Sequence, residues 1–236
     1  MNMVAILAGG TGARAGGNIP KQFIEFDGKA LIEYSLEVFE NHPSIDEILV
    51  VIHRDYEEEM RKIRQKGIYH KWKQTLMGGK ERFHSSWAAI SACEMGEDSH
   101  LLIHDAARPL VSPELIDRLL EKIQSYSAVV PVIPVTDTLV QVQDNLIKSA
   151  PNRSFFRQVQ TPQAFQLPII KKAFQMAIDD VNICVTDDCS VVLNYLPDVP
   201  IAMVEGDKMN IKLTYSTDME LFAKIFLEKN KNVLPI

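Results

Sequence analysis

Short runs of hydrophobic residues alternate along the chain with longer stretches in which hydrophobic and polar positions follow a helical period. Residues 3–7, 47–53 and 101–104 are almost continuously apolar, as expected for strands buried on both faces. Weaker strand patterns cover residues 74–77, 128–135 and 200–204. The alternation predicts an α/β protein with a mostly parallel sheet and helices on both faces.

Helices are predicted where apolar residues recur three and four positions apart. The first begins at Leu31, and the others cover about residues 55–66, 82–94, 112–124, 167–178, 187–195 and 217–227. Ser112 stands where its side chain would cap a helix. Pro131 and Pro134 interrupt one predicted strand, which indicates an edge strand or a strand that leaves the sheet.

The strand and helix rhythm stops over residues 136–157. Residues 138–142, a turn at Asp144 and Asn145, and residues 146–148 predict a β-hairpin. A lone two-stranded ribbon is marginally stable in water, so we expect this protruding arm to pack against a second copy of the chain. The prediction is one domain over residues 1–236, with 136–157 as a dimerisation arm.

A glycine-rich loop follows the first strand. The fifteen residues from Leu7 to Lys21 contain five glycines, which leave the backbone N–H groups able to approach a ligand closely. Such a loop suits phosphate, and Arg14 and Lys21 add two cations. The sequence therefore predicts a triphosphate-binding loop, against the alternative of a flexible surface loop.

Two other phosphate-binding loops match less well. A Walker loop needs Ser or Thr after its lysine, and here Gln22 follows Lys21. The dinucleotide pattern is formally permitted, because Ala15 stands at its third position and Asp55 follows the second strand. An NAD-type oxidoreductase is therefore a remote alternative, and a catalytically silent nucleotide-binding subunit is another.

Two more stretches carry candidate chemistry. Gly78 and Gly79 form a second glycine turn before a predicted helix, which is a further candidate site for an anion or a base. Asp105 ends a predicted strand, and ligands of such sheets lie beyond the carboxyl ends of the strands.

Composition limits the function classes. The chain has 236 residues, 46% hydrophobic and 24% charged, with a net charge of −6 and no long basic run, so we expect no binding to nucleic acid. Its three cysteines lack the spacing of a zinc site or a disulfide framework. No apolar stretch is long enough to cross a membrane and no leader pattern stands at the start, so we expect a cytoplasmic protein without a membrane partner.

Seven motifs in order resemble a known family. They are the glycine loop, Gly-Gly-x-Glu-Arg-x-x-Ser at 78–85, His-Asp-Ala-Ala-Arg-Pro at 104–109, Pro-Val-Thr-Asp-Thr at 134–138, Gln-Thr-Pro-Gln at 160–163, Thr-Asp-Asp at 186–188 and Asn-Ile-Lys at 210–212. Over essentially the whole chain they are similar to the 2-C-methyl-D-erythritol 4-phosphate cytidylyltransferases of isoprenoid biosynthesis.

The resemblance implies a Rossmann-like nucleotidyltransferase that binds CTP with Mg²⁺ and a polyol phosphate as a homodimer. The acceptor's phosphate oxygen attacks the α-phosphorus, and pyrophosphate leaves. Arg14 and Lys21 match the family's catalytic cations, which stabilise charge on the transferring phosphate. Asp105 matches the residue near the metal.

Binding residues are implied in the same way. The nucleotide-binding positions are Leu7, Ala8, Gly9, Gly10, Thr11, Gly12, Gly79, Lys80, Arg82, Ser85, Ala107 and Lys212. The acceptor-binding positions are Arg108, Thr138, Arg153, Thr161 and Lys212, with Arg108 and Thr138 acting across the dimer interface. Asp187 and Asp188 remain open between helix-start acids and site residues, and His104 is interpreted as structural.

Some residues depart from the family pattern. Family members often have Asp where Lys80 stands, and Ala15 replaces a usual Met. Leu-Ala-Gly-Gly-Thr-Gly at 7–12 and Pro-Asn-Arg-Ser at 151–154 resemble the related ribitol-5-phosphate cytidylyltransferases. Ribitol 5-phosphate therefore remains an alternative acceptor.

Overall fold

The computed structural model describes residues 1–10, 20–94, 96, 98–215 and 217–231, with side chains as far as 228. The strands are β1 (Asn2–Ala8), β2 (Glu25–Phe26), β3 (Lys29–Ala30), β4 (Glu47–Ile52), β5 (Trp72–Met77), β6 (His100–Asp105), β7 (Ala128–Pro134), β8 (Gln141–Gln143), β9 (Leu146–Ser149), β10 (Arg157–Val159), β11 (Gln163–Gln166) and β12 (Ile201–Glu205). The helices are α1 (Leu31–Asn41), α2 (Glu57–Arg64), α3 (Arg82–Ala92), α4 (Pro113–Lys122), α5 (Leu167–Ile178), α6 (Asp188–Tyr195) and α7 (Thr217–Lys231).

Eight strands form one sheet in the order β10-β7-β11-β6-β1-β4-β5, and β12 pairs with β7. Strands β6, β1, β4 and β5 are mutually parallel, and β12 is parallel to β7. One hydrophobic cluster packs on each face, beneath α1 and α4 on one side and α3 and α5 on the other. The predicted mostly parallel α/β fold is therefore confirmed.

Strand β7 is not an edge strand over residues 128–132, so the edge alternative predicted from its prolines was wrong. β12 pairs with these residues on one side, while β11 and then β10 pair with β7 on the other. The carbonyl of Pro131 accepts from Gln160 N at 2.8 Å, in the segment between β10 and β11. Pro131 therefore lies beside the gap between β10 and β11. Its missing N–H removes no hydrogen bond from the pairing with either strand.

The predicted helices form, with small changes at their ends. Residues 54–56 make a 3₁₀ turn before α2, and Met60 and Ile63 bury the inner face of that charged helix. Ser112 occupies the N-cap position of α4, but its side chain makes no capping hydrogen bond, contrary to the prediction.

A hairpin lies where residues 136–157 were predicted to leave the sheet. β8 pairs antiparallel with β9, and both turn residues, Asp144 and Asn145, have positive φ as in a type I′ turn. Every residue of the two strands is exposed in the single chain. Its use as a dimerisation arm stays a prediction.

Candidate active site

A cavity of about 560 Å³ opens at the carboxyl ends of β1, β4, β5 and β6. Its lining comes from six short segments that are spread along the chain. They contribute Leu7, Ala8, Gly9 and Gly10, then Lys21, Gln22 and His53, then Gly79, Lys80, Glu81, Arg82 and Ser85, and finally Asp105, Ala106, Ala107, Lys212, Leu213 and Thr214. The carboxyl edge of a parallel sheet is where ligands bind in folds of this kind.

The residues after the glycine loop fix its base against β1. The Gln22 side-chain amide donates to the carbonyls of Ala8 at 2.7 Å and Gly10 at 2.9 Å. Lys21 is buried, and its ammonium group donates to the carbonyl of Thr214 on the opposite wall. Two walls of the cavity are thus joined through one cation.

Close packing around Ser85 explains why glycine stands at positions 9 and 78. A Cβ at Gly9 would lie 2.9 Å from Ser85 Oγ, and one at Gly78 would lie 2.6 Å from the same atom and 3.2 Å from the Ile52 carbonyl. Any larger residue would push the two glycine turns apart. The turn at Gly78 therefore sits against the glycine loop, with the buried Ser85 hydroxyl between them.

Asp105 is the centre of a charged network. Its Oδ1 accepts from Arg82 Nε at 2.9 Å and its Oδ2 from Lys212 Nζ at 2.6 Å. On the other side, Arg82 Nη2 lies 2.7 Å from Asp188 Oδ2, close enough for an ion pair though not aligned as a hydrogen bond. The negative charges of Asp105 and Asp188 are therefore balanced by the positive charges of Arg82 and Lys212.

This balance controls protonation. Burial opposes ionisation of Asp105, but Arg82 and Lys212 outweigh it and hold the pKa of that carboxyl well below its usual range. Burial likewise opposes the charge on Arg82, and Asp188 and Asp105 outweigh it, so the pKa of Arg82 is raised. Asp105 is consequently a carboxylate throughout the physiological range.

A second network lies directly beneath Asp105. The Thr161 hydroxyl accepts from Asp105 N at 3.0 Å and lies 3.2 Å from His104 Nδ1, while His104 Nε2 lies 3.1 Å from the Arg108 carbonyl. His104 is fully buried, and that burial lowers its pKa to about 4, so the ring is neutral. These contacts agree with the structural interpretation of His104.

The predicted acceptor residues do not meet in the described cavity, apart from Lys212. Arg108 Nη1 donates to the Asn210 carbonyl at 2.7 Å, and Thr161 is buried beneath Asp105. Thr138 is exposed, and Arg153 is exposed and donates to the Thr136 carbonyl. Within one chain Arg108, Thr161 and Arg153 therefore bond to other parts of the protein, and Thr138 lies at the surface.

The residues predicted to bind the nucleotide, unlike those for the acceptor, come together in the cavity. Lys21, Asp105, Lys212 and every described nucleotide-binding candidate line the cavity. Thr11, Gly12 and Arg14 lie outside the described residues. Gln22, His53 and Thr214 also line it and were not predicted, because nothing in their local sequence distinguishes them from loop residues.

A divalent cation needs oxygen ligands in this cavity. The part of the chain that the structure describes has no group of three or more His, Cys, Asp or Glu side chains that could hold one alone. Asp105 offers a carboxylate whose two oxygens each carry one cation contact and can accept a second. Mg²⁺ is commonly bound by one or two carboxylates together with substrate phosphates, so the site fits it in that form.

Glycine turns and cations at the carboxyl edge of a parallel sheet indicate a nucleotide-binding protein of the α/β class. A family model for 2-C-methyl-D-erythritol 4-phosphate cytidylyltransferase (IspD) matches residues 2–229. The chain belongs to this family, which confirms the resemblance found in the sequence.

Individual relatives agree with this assignment. A 2-C-methyl-D-erythritol 4-phosphate cytidylyltransferase from Thermobifida fusca (strain YX) is 38% identical over 221 residues, 91% of this chain and 89% of its own length. The bifunctional ribulose 5-phosphate reductase/CDP-ribitol pyrophosphorylase Bcs1 of Haemophilus influenzae is 39% identical over 97% of this chain. The match covers 49% of the length of that relative. The structure of 4-diphosphocytidyl-2C-methyl-D-erythritol synthase from Anaerococcus prevotii DSM 20548 has a TM-score of 0.83 at 27% identity, over 97% of this chain and 96% of that one.

Within the described ranges, no helix has both the length and the apolar character needed to cross a membrane.

Proposed function

We propose that this enzyme joins CTP to 2-C-methyl-D-erythritol 4-phosphate and releases pyrophosphate. The observation that carries the proposal is the cavity that Lys21 lines and in which Arg82 and Lys212 both contact the Asp105 carboxylate. The membership in the cytidylyltransferase family supports the same reaction. In this proposal the reaction takes place in the cytoplasm, which supplies nucleoside triphosphates.

The proposed transfer needs charge stabilisation more than covalent chemistry. An oxygen of the acceptor phosphate forms a bond to the α-phosphorus of CTP, and the bond to the bridging oxygen of pyrophosphate breaks. Lys21, fixed at the end of the glycine loop, is placed to neutralise charge on the reacting phosphates. Arg14 shares this role in the proposal, although it lies outside the described residues.

Mg²⁺ enters the proposal through Asp105. When bound, the ion supplies positive charge to the triphosphate and orients it. Asp105 is the carboxylate that would hold it, together with phosphate oxygens of CTP. Arg82 and Lys212 keep that carboxylate ionised and aimed from the strand end.

Base recognition is assigned to the turn at Gly78 and Gly79. Gly79 lines the cavity, and the turn packs closely against the glycine loop through Ser85. In the proposal, backbone groups of this turn pair with the edge of a pyrimidine. A purine is larger and is expected to collide with the turn, so the turn supports CTP as the nucleotide.

The acceptor side is proposed to be completed by a second copy of the chain. The hairpin exposes Val142, Leu146 and Ile147, which are 57%, 61% and 68% accessible. Val142 and Ile147 are cross-strand partners and share one face of the hairpin, and burial of that face in a two-fold dimer would offset the weakness of an isolated ribbon. Arg108, Thr138 and Arg153 would then take up acceptor contacts that one chain does not show.

Ribitol 5-phosphate is the second candidate acceptor. The Haemophilus influenzae relative, whose name includes CDP-ribitol pyrophosphorylase, is 39% identical over nearly the whole chain. The Leu-Ala-Gly-Gly-Thr-Gly and Pro-Asn-Arg-Ser segments also match that group. The same cavity would serve both acceptors, because the phosphate is their shared reacting group.

One assay separates these possibilities. Pyrophosphate release from CTP is measured with 2-C-methyl-D-erythritol 4-phosphate, ribitol 5-phosphate and glycerol phosphate under identical conditions. We expect the highest kcat/KM with the methylerythritol substrate. A higher value with ribitol 5-phosphate would reassign the acceptor, while no release with any of them would favour a catalytically silent subunit. Fluorescence titration with NADH tests the oxidoreductase alternative.

A further inference from the structure

Asp188 lies on the far side of Arg82 from the cavity. It is the first residue of α6, its side chain is 1% exposed, and it does not belong to the lining of the cavity. Its neighbour Asp187 caps the same helix by accepting from Ser190 N at 3.0 Å. The sequence did not decide whether these two acids start a helix or belong to the site. Their contacts now show that the two residues have different roles.

Both oxygens of Asp188 are directed to α3. Oδ1 accepts from the Ser86 hydroxyl at 2.6 Å, and Oδ2 lies 2.7 Å from Arg82 Nη2. Arg82 and Ser86 are four residues apart and therefore share one face of α3. Asp188 is thus held by one of these residues while it contacts the other.

Arg82 carries this constraint to the cavity. Its Nε donates to Asp105 Oδ1 at 2.9 Å, and the guanidinium group is planar and rigid, so fixing Nη2 also fixes the direction of Nε. We propose that Asp188 is a positioning residue, which orients the Arg82 guanidinium and through it the Asp105 carboxylate. The value of this orientation for turnover rests on the proposed function, but the link between the side chains does not.

Charge supports an orienting role. Buried ion pairs contribute little net stability in general, because desolvation offsets their attraction. Arg82 divides its charge between two carboxylates, and without Asp188 it could turn to the phosphates of the nucleotide or collapse onto Asp105. Asp188 therefore keeps Arg82 in one of several available arrangements.

The first test does not depend on activity. Arginine labelled with ¹⁵N at Nε is incorporated into the full chain, and the Arg82 signal is assigned by its loss in Arg82→Lys. We expect the Nε–H of Arg82 to exchange with solvent at least about tenfold faster in Asp188→Asn, because its hydrogen bond opens more often. Asp187→Asn is the matched control and should leave this exchange unchanged. Equal exchange in wild type and Asp188→Asn would overturn the proposal, whatever reaction the enzyme catalyses.

The second test follows the effect to Asp105. Asp188→Asn should lower kcat by about tenfold to a hundredfold, as outer contacts of a site often do, with little change in KM for CTP. In the Asp105→Asn background the same substitution should lower kcat by less than about twofold, because the route through Asp105 is already lost. An equal fall in both backgrounds would show that Asp188 does not act through Asp105.

Controls separate this role from simple destabilisation. Asp187→Asn removes the same charge and weakens the 2.8 Å contact from Gln163, so it should lower the melting temperature while it retains kcat. If Asp188→Asn fails to fold, Ser86→Ala takes its place and should shift Arg82 exchange in the same direction by a smaller factor. An unchanged Arg82 signal in Ser86→Ala would then count against the proposal. Absence of transfer in the wild type would contradict the proposed function alone.

Discussion

The cavity and the hairpin region differ in how their side chains are held. Lys21, Ser85 and Asp105 are buried beside the cavity, at 8%, 4% and 7% accessibility, and each has a hydrogen-bond partner within the chain. In the hairpin region Ile147 and Phe155 are 68% and 84% accessible. Preorganised charges act strongly on a transition state, whereas exposed side chains must first be ordered. The comparison supports the proposal that nucleotide binding belongs to one chain and that acceptor binding depends on assembly.

The largest expected effect lies in the cavity. Lys21→Ala, and separately Arg14→Ala, should reduce turnover at least about 10²-fold with the fold intact, because each removes a cation from the reacting phosphates. Single-turnover assays at saturating CTP and Mg²⁺ measure it. Lys29→Ala, which removes a surface ion pair with Glu37, is the control and should stay near wild type. Near-native turnover of either loop variant would remove that residue from the catalytic roles.

The hairpin should have the next largest effect. Replacing residues 139–148 by a short Gly-Ser turn should give a monomer that binds CTP but turns over more than about tenfold more slowly, the loss expected when charged contacts to a substrate disappear. Sedimentation and activity are measured together. Val142→Ser with Ile147→Ser should act in the same direction while it preserves the hairpin.

Two results would break the comparison at this point. A truncated monomer with full activity would show that the hairpin does not contribute to the working site. A truncated protein that remains dimeric would place the interface elsewhere.

Base preference should follow the cavity alone. We expect kcat/KM for CTP to exceed that for ATP or GTP by at least about tenfold, because the turn at Gly78 and Gly79 excludes a larger base. The ratio of kcat/KM for CTP to that for ATP or GTP should be unchanged in the hairpin deletion, since this turn lies within one chain. Equal rates with CTP and ATP would contradict the assignment of base recognition to this turn.

The smallest effect concerns His104, which lies beneath the cavity between Thr161 and the Arg108 carbonyl. Burial lowers its pKa to about 4, whereas an unfolded histidine has a pKa of about 6.5. The unfolded chain therefore binds this proton first, so stability is full above about pH 6.5 and falls as the pH drops toward 4, by at most about 1.4 kcal/mol per pH unit.

Urea denaturation at pH 7.5 and 5.0 measures this contribution. His104→Gln should reduce the difference in unfolding free energy between the two pH values, whatever its effect on stability at either one. His70→Gln, at an exposed position, should leave the difference unchanged. A His104→Gln protein as sensitive to acid as the wild type would show that other groups determine the pH dependence.

Local patterns predicted most of the fold. Continuous apolar runs identified β1, β4 and β6, and helical spacing identified α1 to α7 within a few residues. The pattern missed β10 and β11, which are short and take their partners from distant strands. The wrong edge assignment of β7 has the same origin, because the effect of Pro131 depends on which strands pair beside it.

The site divides along the same line. Glycine turns, Lys21 and Asp105 could be predicted because strand ends and glycine spacing are local signals. The contact of Asp188 with Arg82 could not, since it joins two helices whose packing the sequence does not state. Gln22 was missed because its role is to donate to two carbonyls that only the folded loop brings together.

The wall that carries Lys212 and Thr214 has a consequence for synthesis of the protein. Gln160 secures this wall by pairing its side-chain amide with both the N–H and the carbonyl of Asp207, at 3.0 and 2.8 Å. Lys21 and Thr214, which close the cavity, are 193 positions apart, and contacts across such separations form late in folding. A nascent chain from which only the glycine loop and the first strands have emerged lacks the wall of the cavity formed by residues 212–214. We expect CTP to protect the emerging polypeptide from proteolysis only after residue 214 has left the exit tunnel.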